Sequence, residues 1–112
     1  IAVHPAFDSN HFIYVYYTYE KDGVLWNKIL RITESNNKLD AAKTIFDKIP
    51  GSAYNNGGII KFGPDGKLYV GTGYVSDSHG PQDIQSLEGK ILRLNDDGTI
   101  PNDNPFSDSP VF

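Results

Sequence analysis

The 112-residue sequence predicts an all-β chain, a β-propeller segment of about two four-stranded blades. Three observations carry this. Lys28-Ile29-Leu30-Arg31-Ile32 returns as Lys90-Ile91-Leu92-Arg93-Leu94, a shift of 62 residues (90 − 28). Ile1-Ala2-Val3-His4-Pro5 has a looser echo in Ile60-Lys61-Phe62-Gly63-Pro64, a shift of 59 (64 − 5). After each Pro a polar turn leads into strand-like sequence, Phe12-Ile13-Tyr14-Val15-Tyr16-Tyr17 in one copy and Lys67-Leu68-Tyr69-Val70-Gly71 in the other. A period of about sixty with several strands per unit suggests blades slightly longer than the ~40–50 residues of common propeller repeats. One such unit cannot bury both faces of its sheet. The division expected is a first blade over residues 1–52, then a second over 53–112 that includes the start of a connection to a third.

The elements follow from local chemistry. Residues 1–3 read as a short strand stopped by Pro5, and Asp8-Ser9-Asn10 as a turn cluster. Residues 12–19 are rich in β-branched and aromatic side chains, a strong strand signal. Asp22-Gly23 supplies the positive φ angles of a tight hairpin into a strand over 24–33. Residues 34–40 are polar and read as a loop. Over 39–49 an amphipathic helix competes with a strand at 43–49; β-branched Thr44 and Ile45 favour the strand, which Pro50-Gly51 ends. Gly63-Pro64-Asp65-Gly66 joins strands at 57–62 and 67–73, because Pro presets φ and Asp-Gly completes the turn. Residues 74–86 read as a polar loop with a short helical turn near 83–87. A strand follows at 89–95, then the turn Asn95-Asp96-Asp97-Gly98 and an irregular stretch from 101 to 110.

Composition narrows the function. The net charge of −4 comes without a clustered basic patch, which argues against nucleic acid as a partner. No apolar run approaches the ~18 residues of a membrane span. With no Cys, thiol catalysis and thiolate metal sites are excluded. There is no Met, so the chain is expected to be processed or to be a piece of a longer protein.

A set of motifs then follows in one order: Asn56-Gly57-Gly58, Phe62-Gly63-Pro64-Asp65-Gly66-Lys67-Leu68-Tyr69, Gln82-Asp83, Ser86-Leu87, Gly89-Lys90-Ile91-Leu92-Arg93-Leu94 and Asp97-Gly98-Thr99-Ile100-Pro101, the last continuing to Asp103-Asn104-Pro105-Phe106. In combination they resemble the soluble quinoprotein glucose/sorbosone dehydrogenases, also called aldose sugar dehydrogenases. The resemblance implies a six-bladed propeller about three times this length, usually exported and so extracellular or periplasmic. It also implies oxidation of aldoses at the anomeric carbon with pyrroloquinoline quinone (PQQ) held by calcium.

The chain departs from that pattern at two paired positions. Active members carry His-Asn-Gly-Gly where this chain has Asn55-Asn56-Gly57-Gly58, and Gly-Asp where it has Gly73-Tyr74. The resemblance makes that His the general base and that Asp its orienting carboxylate, so the catalytic positions are occupied here by Asn55 and Tyr74. Asn55, Asn56 and Tyr74 are the pocket candidates. On sequence alone the two Asn are a turn pair that tolerates left-handed φ. Tyr74 reads equally as a cover for a blade edge or as a sugar-contacting ring.

Asp77, His79 and Asp83 could form a metal-binding cluster with His79 as a relocated base, but their spacing matches no established site and a solvated loop is the plainer reading. Ser76, His79 and Asp83 lack the nucleophile elbow of a hydrolase triad. Asn95-Asp96-Asp97-Gly98 lacks the alternating ligands of a calcium loop and reads as a turn. His4 and His11 read as structural or exposed. Tyr14 with Tyr16, Tyr17 with Tyr19, and Trp26 read as packing residues, with an aromatic sugar platform as the minority alternative. Two functions stand beside each other: a quinone-dependent sugar dehydrogenase, and a non-catalytic propeller that binds carbohydrate or protein or serves as an extracellular scaffold. Either way the exposed blade faces call for further blades, from the rest of a longer protein or from homo-oligomerisation, where three copies would close a six-bladed ring.

Overall fold

The structure is a computed structural model, described over residues 1–75 and 80–112. Among the described residues, seven strands form two antiparallel sheets. The first sheet runs β1 (Ala2–Val3), β2 (Phe12–Lys21), β3 (Val24–Ser35) and β4 (Lys38–Pro50), in that order. The second runs β5 (Gly57–Phe62), β6 (Leu68–Thr72) and β7 (Ile91–Leu94). Val111 adds the beginning of a fourth strand by bridging Leu92, with Arg93 N donating to Pro110 O at 2.8 Å and Phe112 N to Ile91 O at 2.9 Å. This meander of nearly pure sheet is the propeller architecture that the repeat predicted.

The repeat is visible in the ladder itself. Ala2, Tyr14 and Arg31 lie in one row of the first sheet, and Lys61, Tyr69 and Arg93 in one row of the second. The offsets are 59, 55 and 62 residues (61 − 2, 69 − 14, 93 − 31). The three differ because only the turns between strands change length.

Several local expectations are corrected. Residues 34–40 are not a loop: β3 and β4 run on to Ser35 and Lys38, joined by Asn36 and Asn37 at φ 53° and 60°. Two consecutive left-handed Asn residues make the tight turn whose twist matches the strands, so polarity here marked a hairpin tip. The helical alternative over 39–49 is not adopted, because β4 finds a full ladder on β3. Most of β4 is exposed and carries Lys38, Asp40, Lys43, Asp47 and Lys48, which suits a sheet edge that must resist stray pairing. Asp8-Ser9-Asn10 belongs to a one-turn helix, Phe7–Asn10, closed by left-handed His11. The helical turn expected near 83–87 lies upstream, as a 3₁₀ turn at Gly80–Gln82.

The core is the seam between the sheets. Tyr14, Ile29 and Ile49 from the first meet Ile60, Leu68, Val70, Leu92 and Leu94 from the second, all buried. Tyr14 Oη donates to Asp96 O at 3.0 Å, and Phe62 packs edge-on to its ring at 5.0 Å between centroids. Burial and the Asp96 carboxylate push the Tyr14 hydroxyl up to about 12, so it keeps its proton as a donor. Tyr17 and Tyr19 face the opposite way, where the Lys28 ammonium sits 4.3 Å from the Tyr19 ring centre. Trp26 pairs with Tyr19 on that same side. The aromatic pairs therefore divide at strand period, one set in the seam and one on the free face.

A second anchor ties the C-terminal loop to the sheet. Buried Arg93 donates to Asp65 (2.9 Å), Asp103 (2.8 Å) and Asn104 (3.0 Å), joining the Gly-Pro-Asp-Gly turn to residues 101–110. These hydrogen bonds hold Asp103 below the usual carboxylate range against a smaller opposing effect of burial. A carboxylate lowered in the folded state contributes stability above its unfolded pKa of ~3.9, and the contribution is lost as pH falls further. Urea midpoints are therefore expected to fall below about pH 4, and Arg93→Met to flatten that fall. Leu92→Ala, at a fully buried core position, is expected to cost about 3 kcal/mol by urea denaturation.

Candidate functional site

The segment from Ser52 to Gly58 links the two sheets and is locked from three sides. Asn56 and Ser52 form a reciprocal ring: Ser52 N donates to Asn56 Oδ1 at 2.9 Å, and Asn56 Nδ2 to Ser52 O at 2.8 Å. Asn27, fully buried on β3, donates through Nδ2 to Asn56 Oδ1 at 3.2 Å and to Pro50 O at 2.7 Å. Its own Oδ1 accepts from Thr18 Oγ1 at 2.6 Å. Tyr16 reaches from β2 to donate to Asn56 O at 2.8 Å. Burial pushes that hydroxyl up to about 12, which keeps it a donor.

The backbone on either side of Asn56 is left-handed, with Asn55 at φ 59° and Gly57 at φ 73°. A Cβ at Gly57 would come within 2.5 Å of Gly73 N, so both the angle and the space require glycine. Gly73 is closed just as tightly: a Cβ there would sit 1.6 Å from Asn55 O. Gly73 N also donates to Asn56 O at 3.2 Å. The chain at residue 55 thus lies directly against the end of β6, beside Tyr74.

The structure brings two of the sequence candidates together and separates the third. Asn55 is exposed, and Tyr74 is 42% exposed at the neighbouring strand end. Asn56 turns its carboxamide inward and is occupied by Ser52 and Asn27. Asp83 caps a local turn, accepting from Gln85 N at 2.9 Å. Among the described residues no three His, Cys, Asp or Glu side chains gather as a metal site. Asp77 and His79 lie outside the described residues. The Asn95–Gly98 segment is a turn, with Gly98 N donating to Asn95 O at 3.0 Å. His4 packs edge-on to Phe62 at 5.0 Å, and His11 bonds Glu34 at 3.0 Å.

Two residues that shape this corner carried no motif. Asn27 sits between Trp26 and Lys28 in an apolar strand, where Asn is disfavoured. That misfit was the available signal for a buried polar role. Exposed Tyr54 (79%) stands beside Asn55 as a further ring at the surface.

Comparison with known proteins places this corner in context. Residues 1–111 match the family model of glucose/sorbosone dehydrogenase. The chain belongs to the glucose/sorbosone dehydrogenase family. Among solved structures, it superposes on the PQQ-bound aldose sugar dehydrogenase of Streptomyces coelicolor with a TM-score of 0.89 and 41% identity, over 98% of this chain and 33% of that one. The apo aldose sugar dehydrogenase of Escherichia coli gives a TM-score of 0.84 at 29% identity, over 98% and 33%. Quinoprotein glucose dehydrogenase B of Acinetobacter calcoaceticus is 32% identical over 93% of this chain and 27% of its own length. The chain thus spans about a third or less of these relatives. No helix among the described residues is long and apolar enough to cross a membrane.

Asn27→Ala removes the donor that joins the two sheets behind Asn55 and leaves Asn56 and Thr18 short of a partner. It is expected to lower stability by about 2–3 kcal/mol in urea denaturation.

Proposed function

We propose that this chain forms two blades and part of the pocket wall of a sugar-binding propeller that has lost the usual proton transfer of its family. The observation that carries the reading is the pairing of exposed Asn55 with the Gly73–Tyr74 strand end. The family resemblance expects His and Asp there. A general base must take up a proton near the working pH, and a carboxamide does not. A phenol likewise cannot supply the carboxylate that orients an imidazole. What Asn55 and Tyr74 do offer is hydrogen-bonding atoms and an aromatic face, which suit the hydroxyls and C–H faces of an aldose. An exported location, extracellular or periplasmic, follows from the resemblance alone.

The same corner does not by itself fit the quinone. PQQ is a tricarboxylate, and residues 52–58 and 73–75 contain no Lys or Arg. Lys90 flanks the corner through Thr72 but gives its ammonium to the carbonyls of Gly80, Pro81 and Glu88, at 2.8–2.9 Å. Nor do three or more Asp or Glu carboxylates gather among the described residues, as a carboxylate-rich calcium site would need. Any quinone or calcium held by a longer protein would depend on groups outside this corner.

A second reading, oxidation of an aldose, draws on the 41% identity to the PQQ-bound Streptomyces coelicolor enzyme. One experiment separates the two. The longest native chain carrying this segment is loaded with PQQ and calcium, and aldose-dependent dye reduction is compared with that of Asn55→His combined with Tyr74→Asp. The proposal expects aldose binding without turnover in the unmodified protein. It expects a gain of about 10²-fold or more above background in the double variant. Turnover by the unmodified protein establishes the oxidation reading instead. No gain in a double variant that binds quinone overturns the assignment of residues 55 and 74.

A further inference from the structure

We propose that Asn56-Gly57 is a latent deamidation site, and that the hydrogen bonds around it hold that reaction off. It is the one Asn-Gly step in the sequence. In such a step the backbone nitrogen of the glycine can attack the side-chain carbonyl carbon of the asparagine, since glycine has no Cβ to stand in the way. The nitrogen gives up its proton, the new C–N bond closes a five-membered imide, and ammonia leaves. Water then opens the imide at either carbonyl, giving aspartate or isoaspartate. The balance is one water consumed and one ammonia released.

Both reacting groups are held in place. The Asn56 carboxamide accepts at Oδ1 from Ser52 N (2.9 Å) and Asn27 Nδ2 (3.2 Å), and donates from Nδ2 to Ser52 O (2.8 Å). Closing the imide turns the carboxamide toward Gly57 N, and that rotation breaks these bonds. The peptide carrying the attacking nitrogen is pinned as well. Its carbonyl, Asn56 O, accepts from Tyr16 Oη at 2.8 Å and from Gly73 N at 3.2 Å. Gly57 is also packed tightly on the end of β6, where a Cβ would come within 2.5 Å of Gly73 N.

The product cannot restore the lock. An ionised aspartate only accepts hydrogen bonds, so the bond to Ser52 O is lost and two acceptors face each other. Isoaspartate instead lengthens the backbone by one methylene beside Asn55. Either change loosens the contact between residue 55 and Gly73. The step most open to spontaneous chemistry therefore lies in the corner that carries the candidate site, and the buried carboxamide of Asn27 guards it. The reaction proceeds from a locally opened corner, so its rate follows the open fraction. Removing one hydrogen bond from a buried group raises that fraction about tenfold.

The test incubates the longest native chain carrying this segment in mildly alkaline buffer and follows aspartate and isoaspartate at residue 56 by peptide mapping with mass spectrometry. The unmodified protein is compared with itself in urea, with Asn27→Ala, with Tyr16→Phe and with Leu92→Ala. Tyr16→Phe keeps the ring and removes only the bond to Asn56 O, so it probes the lock even where Asn27→Ala does not fold. Leu92→Ala lowers overall stability and leaves the corner's bonds in place. Conversion is expected to be at least about tenfold slower in the folded protein than in urea, and to rise about tenfold in each lock variant that folds. Leu92→Ala is expected to stay near the unmodified rate. Conversion as fast in the folded protein as in urea overturns the proposal. So does an unchanged rate in the folded lock variants, or an equal rise in Leu92→Ala, which makes global unfolding the cause.

Discussion

A carboxamide buried between two apolar sheets must have its hydrogen bonds satisfied or it destabilises both. Asn27 meets that demand by tying Thr18 and Pro50 of the first sheet to Asn56 at the head of the second. Tyr16 adds a hydroxyl to the same residue from the neighbouring strand. The consequence is geometric. With Asn56 held inward, the chain turns left-handed on either side of it, at Asn55 and Gly57, and residue 55 lies against Gly73. The candidate site is thus a product of the inter-sheet seam, and its two halves belong to a single locked corner.

The rest of the structure arranges charge around that apolar seam. Arg93 gathers Asp65, Asp103 and Asn104, and Lys90 gathers three backbone carbonyls. Each cation pins a loop that has little apolar surface of its own. Such loops cannot be held by burial, so they are held by charge-assisted hydrogen bonds, which are stronger than neutral ones. The same economy explains why the corner lacks a cation for a carboxylate ligand: the Lys that flanks it is already committed to structure.

Much of this was legible in the sequence. Alternating Tyr and Ile residues in 12–19, the Asp-Gly and Gly-Pro-Asp-Gly turns, and the repeated Lys-Ile-Leu-Arg segment gave the strands, hairpins and two-sheet organisation. The motif order gave the family. Asn55 and Tyr74 drew notice by their departure from the family pattern, and the structure packs the Asn55 carbonyl against Gly73, the residue before Tyr74. What could not be read depends on contacts distant in sequence. Asn36-Asn37 looked like a loop because a left-handed hairpin tip and a flexible loop share polar composition. Asn56 looked equivalent to Asn55, and only the inward reach of Asn27, 29 residues away in sequence, distinguishes them. The direction of each strand face was also hidden, since a period of two says that faces alternate but not which one meets the neighbouring sheet.

The most direct test of this account is amide hydrogen exchange at Gly73, compared between the unmodified chain and Asn27→Ala. Asn27 does not bond Gly73; it acts through Asn56, whose carbonyl accepts the Gly73 N–H at 3.2 Å. If the seam holds the corner, loss of Asn27 speeds exchange at Gly73 well beyond the change seen at Val70 in the core of the same sheet. Equal change at both sites, or none at Gly73, would contradict the claim that the corner is set by the buried carboxamide.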